Sequence, residues 1–323
     1  MHNSDSLPEA PDSVPTKPIY NGSALRFAGS AIVGIAIFAG VLAAMGARFD
    51  NQNATPDSPF TAEVARQDVA ELAAIAQSSA TSLASADANN ETFATVAAGA
   101  AEITDVLGGV WVAWPSGAPS GYTNDPVNTA APADVTSADL VSQLVELSDA
   151  ALSASDNAAQ SDRATYNAVA LLSRFLAIDL ANTEGVDSPG CWDFTINAAG
   201  SAAASETTLE VADAARQWFE TDASNMAVGD RDDQLARIDS VSRFEEAILE
   251  TGTKDSREAF AAYPDLAEKE TLTSVALGKL SSQLLNASAQ ADSDGRQAIL
   301  GYTCSLYLSS GERSTFSIAD ASN

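Results

Sequence analysis

The chain has 323 residues, with 16 basic and 44 acidic side chains and a formal net charge of −28. A field of that sign repels nucleic-acid phosphates and anionic lipid headgroups, so nucleic acid is excluded as a partner and charge does not draw the chain to an anionic membrane. The only histidine is His2, which removes Ser-His-Asp and Cys-His catalysis and histidine-ligated zinc or haem.

Residues 1–26 are rich in Ser, Pro and Asn and poor in large apolar groups, a composition that predicts a disordered cytoplasmic tail. Residues 27–47, Phe27 to Ala47, then run without a charge, a proline or an amide side chain between Arg26 and Arg48. At helical rise such a run reaches about 30 Å, the thickness of a bilayer core, and it predicts a transmembrane helix. The rival reading is a cleaved signal peptide ending near Ala44-Met45-Gly46. Against it stand acidic residues in the preceding segment and an apolar run longer than the usual roughly 7–15 residues. No cysteine lies in or just after the run, so a lipoprotein anchor is excluded.

Ser30 and Gly34, then Ala36, Gly40 and Ala44, recur at four-residue steps along the run. Small residues so spaced let helix backbones approach in lipid, although Gly and Ala are also frequent in membrane helices and throughout this chain. Lys17 and Arg26 precede the run and only Arg48 follows closely, which predicts a cytoplasmic N-terminus and an extracytoplasmic remainder. Setting aside Lys17, Arg26, Asp5, Glu9 and Asp12 leaves 14 basic against 41 acidic side chains after the anchor. Between Gln67 and Asp162 there are 13 carboxylates and no Lys or Arg.

Residues 48–59 read as a polar linker, and residues 60–310 as a helical domain. Apolar side chains at helical spacing predict helices over 61–82 and over 91–107, the second stopped by Gly108-Gly109. Thr136 with Asp139 forms a capping-box pattern ahead of Leu140, Leu144 and Leu147. Residues 161–182 are apolar on all sides and predict the central core helix. Further helices are expected at 205–220, from Asp230 as cap to Gly252, at 255–262, from Asp265 as cap through Leu284, and at 296–309. The fold class expected is all-α, an irregular bundle of about nine helices outside the membrane preceded by one transmembrane helix, with residues 311–323 as a C-terminal tail. No fixed repeat period is visible, so a solenoid has no support.

Cys191 and Cys304 are the only cysteines, and in an exported domain such a pair is expected to bond and tie the last helix to the middle of the chain. That pairing would withdraw both thiolates from catalysis or iron–sulfur ligation. Asp292-Ser-Asp294-Gly295 resembles the opening of a calcium loop, but Thr303 stands where a bidentate Glu is required, and helix capping is the better reading. Arg174 lies mid-way along the most apolar helix, where an unpaired guanidinium would be costly; it predicts a buried ion pair with Asp179 or with a carboxylate on another helix. Carboxylate chemistry would need two facing acids, and 41 acids nominate no pair. The chain is therefore read as a non-enzyme without cofactor or metal.

The segment 108–132 interrupts the helical pattern with Gly, Pro and the aromatics Trp111, Trp114 and Tyr122. Loops of this length in compact domains are commonly functional. The aromatics either pack back as a lid over the core or serve as anchors for a partner or a lipid-like ligand.

A long polar N-terminal tail, one uncleaved anchor and an Ala-rich, Lys-poor acidic outer domain together resemble the single-pass envelope proteins of high-GC Gram-positive bacteria, the corynebacterial group in particular. The resemblance implies an accessory subunit or envelope factor and carries no functional residues. The function expected is a membrane-anchored extracytoplasmic accessory or assembly protein, acting by protein–protein contact in an integral membrane or envelope complex. The alternative is an envelope lipid or small-ligand binding protein with an apolar pocket under the 108–132 loop.

Overall fold

The computed structural model describes residues 59–114, 117–119, 121–268, 270–309, 316 and 318. Nine α-helices occur among them: α1 (Thr61–Ala86), α2 (Glu91–Val106), α3 (Ser137–Asn157), α4 (Gln160–Glu184), α5 (Ile196–Ala202), α6 (Glu206–Asn225), α7 (Asp232–Glu250), α8 (Leu272–Gln290) and α9 (Ser293–Leu308). A single 3-10 turn, Val228–Asp230, precedes α7, and no strand occurs among the described residues. The all-α expectation holds. The apolar run 27–47, with Ser30, Gly34, Ala36, Gly40 and Ala44, lies outside the described residues. Among the described residues no helix is long and apolar enough to cross a membrane.

Side-chain caps set most helix starts. Asn90, Thr136, Thr195, Ser205, Thr271 and Asp292 each accept a hydrogen bond from a backbone N–H in the first turn that follows. Thr136 and Asp139 form the expected capping box. Asp292 accepts from the N–H of Gly295 at 2.8 Å, which gives that acidic cluster its role as a helix cap.

Three expected boundaries differ. Asp230 closes the 3-10 turn, and α7 begins without a side-chain cap. The helix expected from Asp265 begins only at Leu272, because Thr271 and Ser274 cap each other's backbone N–H reciprocally. Residues 255–262 form an irregular strap, while the unforeseen short helix α5 keeps the count at nine.

The first four helices make an antiparallel bundle whose two ends are each locked by one carboxylate. At one end Arg66 of α1 reaches the carbonyls of Leu107 and Gly109 past the end of α2, and Tyr166 near the start of α4 feels the charges of Glu63 and Arg66. At the other, Glu184 at the end of α4 accepts from Asn90 at 2.7 Å and from Ser137, the first residue of α3, at 2.8 Å. Consequently α1 and α4 run one way and α2 and α3 the other. Each of the contacts α1–α2, α1–α3, α2–α4 and α3–α4 is antiparallel. The cost is topological: α2 stops at the first end and α3 starts at the second. The segment 107–136 therefore has to climb the length of the bundle, roughly 25–30 Å at helical rise. The long loop is a crossover connection.

Every residue of α4 from Tyr166 to Ile178 is buried. Its other side meets a second layer: α8 packs on it, with Asn167 donating to Ser288 at 2.8 Å, and α9 joins at the edge. Within that layer α6 packs on α7 and α8, and α5 on α7 and α9. One apolar cluster runs from Val69 to Ile318 through both groups. It takes in Phe316 and Ile318, so the core continues past residue 310 into the segment expected to be a tail. Phe316 meets the rings of Phe175 and Tyr307.

Cys191, in the segment after α4, is bonded to Cys304 of α9 as expected. The two chains approach closely there because Gly301 has no side chain: a Cβ at that position would stand 2.7 Å from the carbonyl oxygen of Trp192 and 3.0 Å from the Phe194 ring. Backbone on one side and a packed ring on the other leave nothing to yield cheaply. Gly301→Ala is expected to cost about 1–3 kcal/mol, read as a lower urea midpoint with an unchanged m-value; an unaltered midpoint would show that the 191–194 segment is not held against α9.

Candidate functional site

Gly108 and Gly109 end α2 in the left-handed region, at φ +82° and +85°, which turns the chain off the bundle end. The Gly109 N–H donates to Thr104 at 2.8 Å, and the next free carbonyls are taken by Arg66 from α1. A guanidinium there satisfies orphan carbonyls and opposes the negative end of the helix dipole. Arg66 is itself gripped bidentately by Glu63, at 2.7 and 2.9 Å, and Gln67 donates to the same carboxylate at 2.9 Å. Glu63 is only 5 % exposed. Burial alone would raise its pKa, but the hydrogen bonds from Arg66 and Gln67 outweigh it and hold the carboxyl below its ordinary value.

The loop beyond is closed on itself. The Trp114 N–H donates to the Asn124 side-chain oxygen at 2.8 Å, and the Asn124 amide donates back to the Trp114 carbonyl at 2.7 Å. The same carbonyl accepts from the N–H of Gly117 at 2.9 Å. One asparagine thus does for residue 114 what a neighbouring strand would do. It brings the Trp114 and Tyr122 rings to 5.5 Å, tilted by 59°. Tyr122 stays 48 % exposed, whereas Trp111 and Trp114 are half-buried. None of the three belongs to the main core or to the layer packed on it among the described residues.

Arg174 forms its expected ion pair across helices, with Asp149 of α3 at 2.7 Å, and its guanidinium lies 4.6 Å from the centre of the Trp192 ring. Burial lowers its pKa in spite of Asp149, which acts in the opposite sense. Asp149 also lines an open groove of about 670 Å³ between α3 and residues 187–189, together with Val141, Val145, Glu146 and Asp187. The groove is lined by no residue of the 108–132 loop. No group of three or more His, Cys, Asp or Glu fit to hold a metal occurs among the described residues.

A second aromatic feature escaped the sequence reading. The strap 255–262 is pinned along α6 by side chains that substitute for helical hydrogen bonds. Asp213 accepts from the N–H of Glu258 at 3.2 Å, and Gln217 accepts from the N–H of Ala261 at 2.8 Å while donating to the carbonyl of Glu258 at 3.0 Å. The Trp218 indole donates to the carbonyl of Ala262 at 3.2 Å, and the Tyr263 hydroxyl meets that of Thr221 at 3.1 Å. Asp255, held down to about 2 by hydrogen bonds from Arg257, hooks that residue's backbone and side chain locally. Arg257 in turn reaches Glu245, which is 2 % exposed and also paired with Arg216 at 3.0 Å. Burial pushes the Glu245 carboxyl up, against the pull of Arg216. Outside this clamp Phe260 and Tyr263 stand 63 % and 54 % exposed with rings 5.6 Å apart, and Leu266 is exposed beside them in sequence. The signal was present in the sequence as two aromatics ahead of Pro264, spaced as a helix would space them.

Two substitutions test this construction. Asn124→Ala removes both bonds to residue 114 and is expected to raise amide hydrogen exchange across 110–124 while shifting the global unfolding midpoint little; unchanged exchange there would mean that the loop is held by something else. Glu63→Gln is expected to lose about 1–2 kcal/mol at pH 7. A lowered folded-state pKa contributes stability above the unfolded value that disappears as pH falls, so the deficit should vanish in urea titrations well below the ordinary glutamate pKa of about 4.3.

Compared with known proteins, the chain gives no match to any family model, curated protein or solved structure.

Proposed function

We propose that the chain is a membrane-anchored accessory or assembly protein whose helical domain lies outside the cytoplasm and acts by protein–protein contact in a membrane or cell-envelope complex. The observation that carries this reading is the Phe260–Tyr263 pair. Two aromatic rings are exposed on a stretch of backbone that four side chains of α6, Asp213, Gln217, Trp218 and Thr221, hold in one conformation, and Leu266 is exposed shortly after it. Large exposed apolar side chains on a rigid backbone are what binding hot spots are made of, because little ordering remains to be done on association. The apolar run 27–47 supplies the anchor in this reading, and Ser30, Gly34, Ala36, Gly40 and Ala44 a face for packing on helices of an integral membrane partner. The ligand-carrier alternative has less behind it, since the groove beside α3 is open, bordered by carboxylates and remote in lining from the aromatic loop.

Purification of the full-length chain from its native membranes, with chemical cross-linking and mass spectrometry, tests the proposal. Expected is stoichiometric recovery with a defined membrane complex and cross-links from residues flanking 260–266. Phe260→Ala with Tyr263→Ala should reduce that recovery tenfold or more, about 1.4 kcal/mol or above, without lowering the unfolding midpoint. Recovery of the chain alone, or a complex indifferent to the double substitution, would refute the assignment.

A further inference from the structure

The geometry points to a second contact, made by the opposite kind of surface: we propose that the bundle end formed by the start of α1, the end of α2 and the aromatic loop rests in the interfacial zone of the bilayer, against electroneutral lipid. This inference depends on residues 27–47 being a retained anchor.

Ten large hydrophobic side chains are strongly exposed among the described residues, and five of them belong to the start of α1 (Phe60, Val64), the end of α2 (Val106) and the loop that leaves it (Val112, Tyr122). The Arg66 clamp on Leu107 and Gly109 brings the start of α1 and the end of α2, which carry the first three, to the same end of the bundle. Trp114, paired with Tyr122, is five residues beyond Gly109, within about 17 Å of it at full extension. The half-buried Trp111 and Trp114 complete the set. Trp and Tyr are the residues that settle at membrane interfaces, where an apolar body and a polar edge are both accommodated.

What covers this end is argued from the chain that leads into it. Phe60 is the residue at which the described fold begins, and only 12 residues separate it from the close of the apolar run at Ala47. At full extension that number of residues spans at most about 40 Å. Connectivity alone therefore keeps this end within that reach of the apolar run, at an effective concentration that favours even weak insertion. No Lys or Arg occurs from Gln67 to Asp162, and Asp105 and Asp125 are exposed nearby. The contact is thus apolar and aromatic, and anionic headgroups oppose it.

The full-length chain has four tryptophans, of which Trp218 is buried in the second layer and Trp192 packs against the core, so its fluorescence reads this end directly. Reconstituted alone into phosphatidylcholine nanodiscs carrying shallow brominated acyl chains, it should lose about half of its emission, the share of two tryptophans in four. Trp111→Phe with Trp114→Phe should abolish that quenching. Phe60→Glu, at an exposed site, should weaken it without changing the unfolding midpoint. Replacing half of the lipid by brominated phosphatidylglycerol should reduce the quenching. An absence of quenching while the chain stays in the nanodisc through alkaline carbonate overturns the inference and leaves the anchor intact. Quenching unaltered in the double variant overturns it as well, by placing another tryptophan at the lipid. Release of the chain by carbonate overturns both the inference and the anchored reading beneath it.

Discussion

The constraint on which the structure depends is the burial of α4 on all sides. A helix with no polar face has to be surrounded, and neighbours on one side alone leave the other in water. The helices α2 and α3, antiparallel to it, cover one side, and the layer led by α8 covers the other. Ser148 donates to the α4 carbonyl of Ala170, and the Asn167 amide donates to Ser288. The neighbours can come close because so many contact positions are alanine; Ala70, Ala73, Ala76 and Ala80 line one side of α1 with no exposed surface. Each buries little area, and apolar stabilisation scales with area. A core built this way gains from the link between Cys191 and Cys304, which closes a loop of more than a hundred residues across the second layer.

Polar clamps take up what alanine contacts cannot specify. Glu63 holds Arg66, and Arg66 holds the end of α2; Glu184 gathers the turn before α2 and the start of α3; Asp213 and Gln217 hold the strap on α6. In each case a side chain from one element satisfies backbone or amide groups of another that would otherwise need water. These clamps also fix the two exposed aromatic clusters. Both lie on irregular backbone, and both are made rigid by side-chain amides or carboxylates rather than by secondary structure.

As proposed, the two clusters differ in the kind of neighbour they meet. The first stands at the bundle end where α1 starts; Arg66 there is taken up by Glu63 and the end of α2, and no other Lys or Arg occurs up to Asp162, which suits an electroneutral lipid boundary. The second lies on the layer beyond α4, next to paired Arg216, Arg257, Glu220 and Asp255, a mixed-charge rim of the type that surrounds protein-binding anchors. In the proposed reading the first surface sets the height of the domain at the membrane and the second meets the partner.

The sequence by itself determined most of the helices. Apolar residues at helical spacing, the capping pair Thr136 and Asp139, and the stop at Gly108-Gly109 are local signals, and each marks the boundary it encodes. The cysteine pair, the partner class of Arg174 and the centrality of 160–184 were legible for the same reason: a short stretch leaves few satisfactory solutions. Only the tertiary structure decided why 107–136 is long, since its length answers to the parallel course of α2 and α3, and that direction is set by contacts distant in sequence. Only it decided that 255–262 leaves the helix its spacing permits. The strap's N–H groups find Asp213 and Gln217 more than forty residues away, and hydrogen bonds from another element outweigh a weak local preference. Phe316 and Ile318, in a segment with no periodic pattern, joined the core for the same physical reason: burial is granted by neighbours that no local window contains.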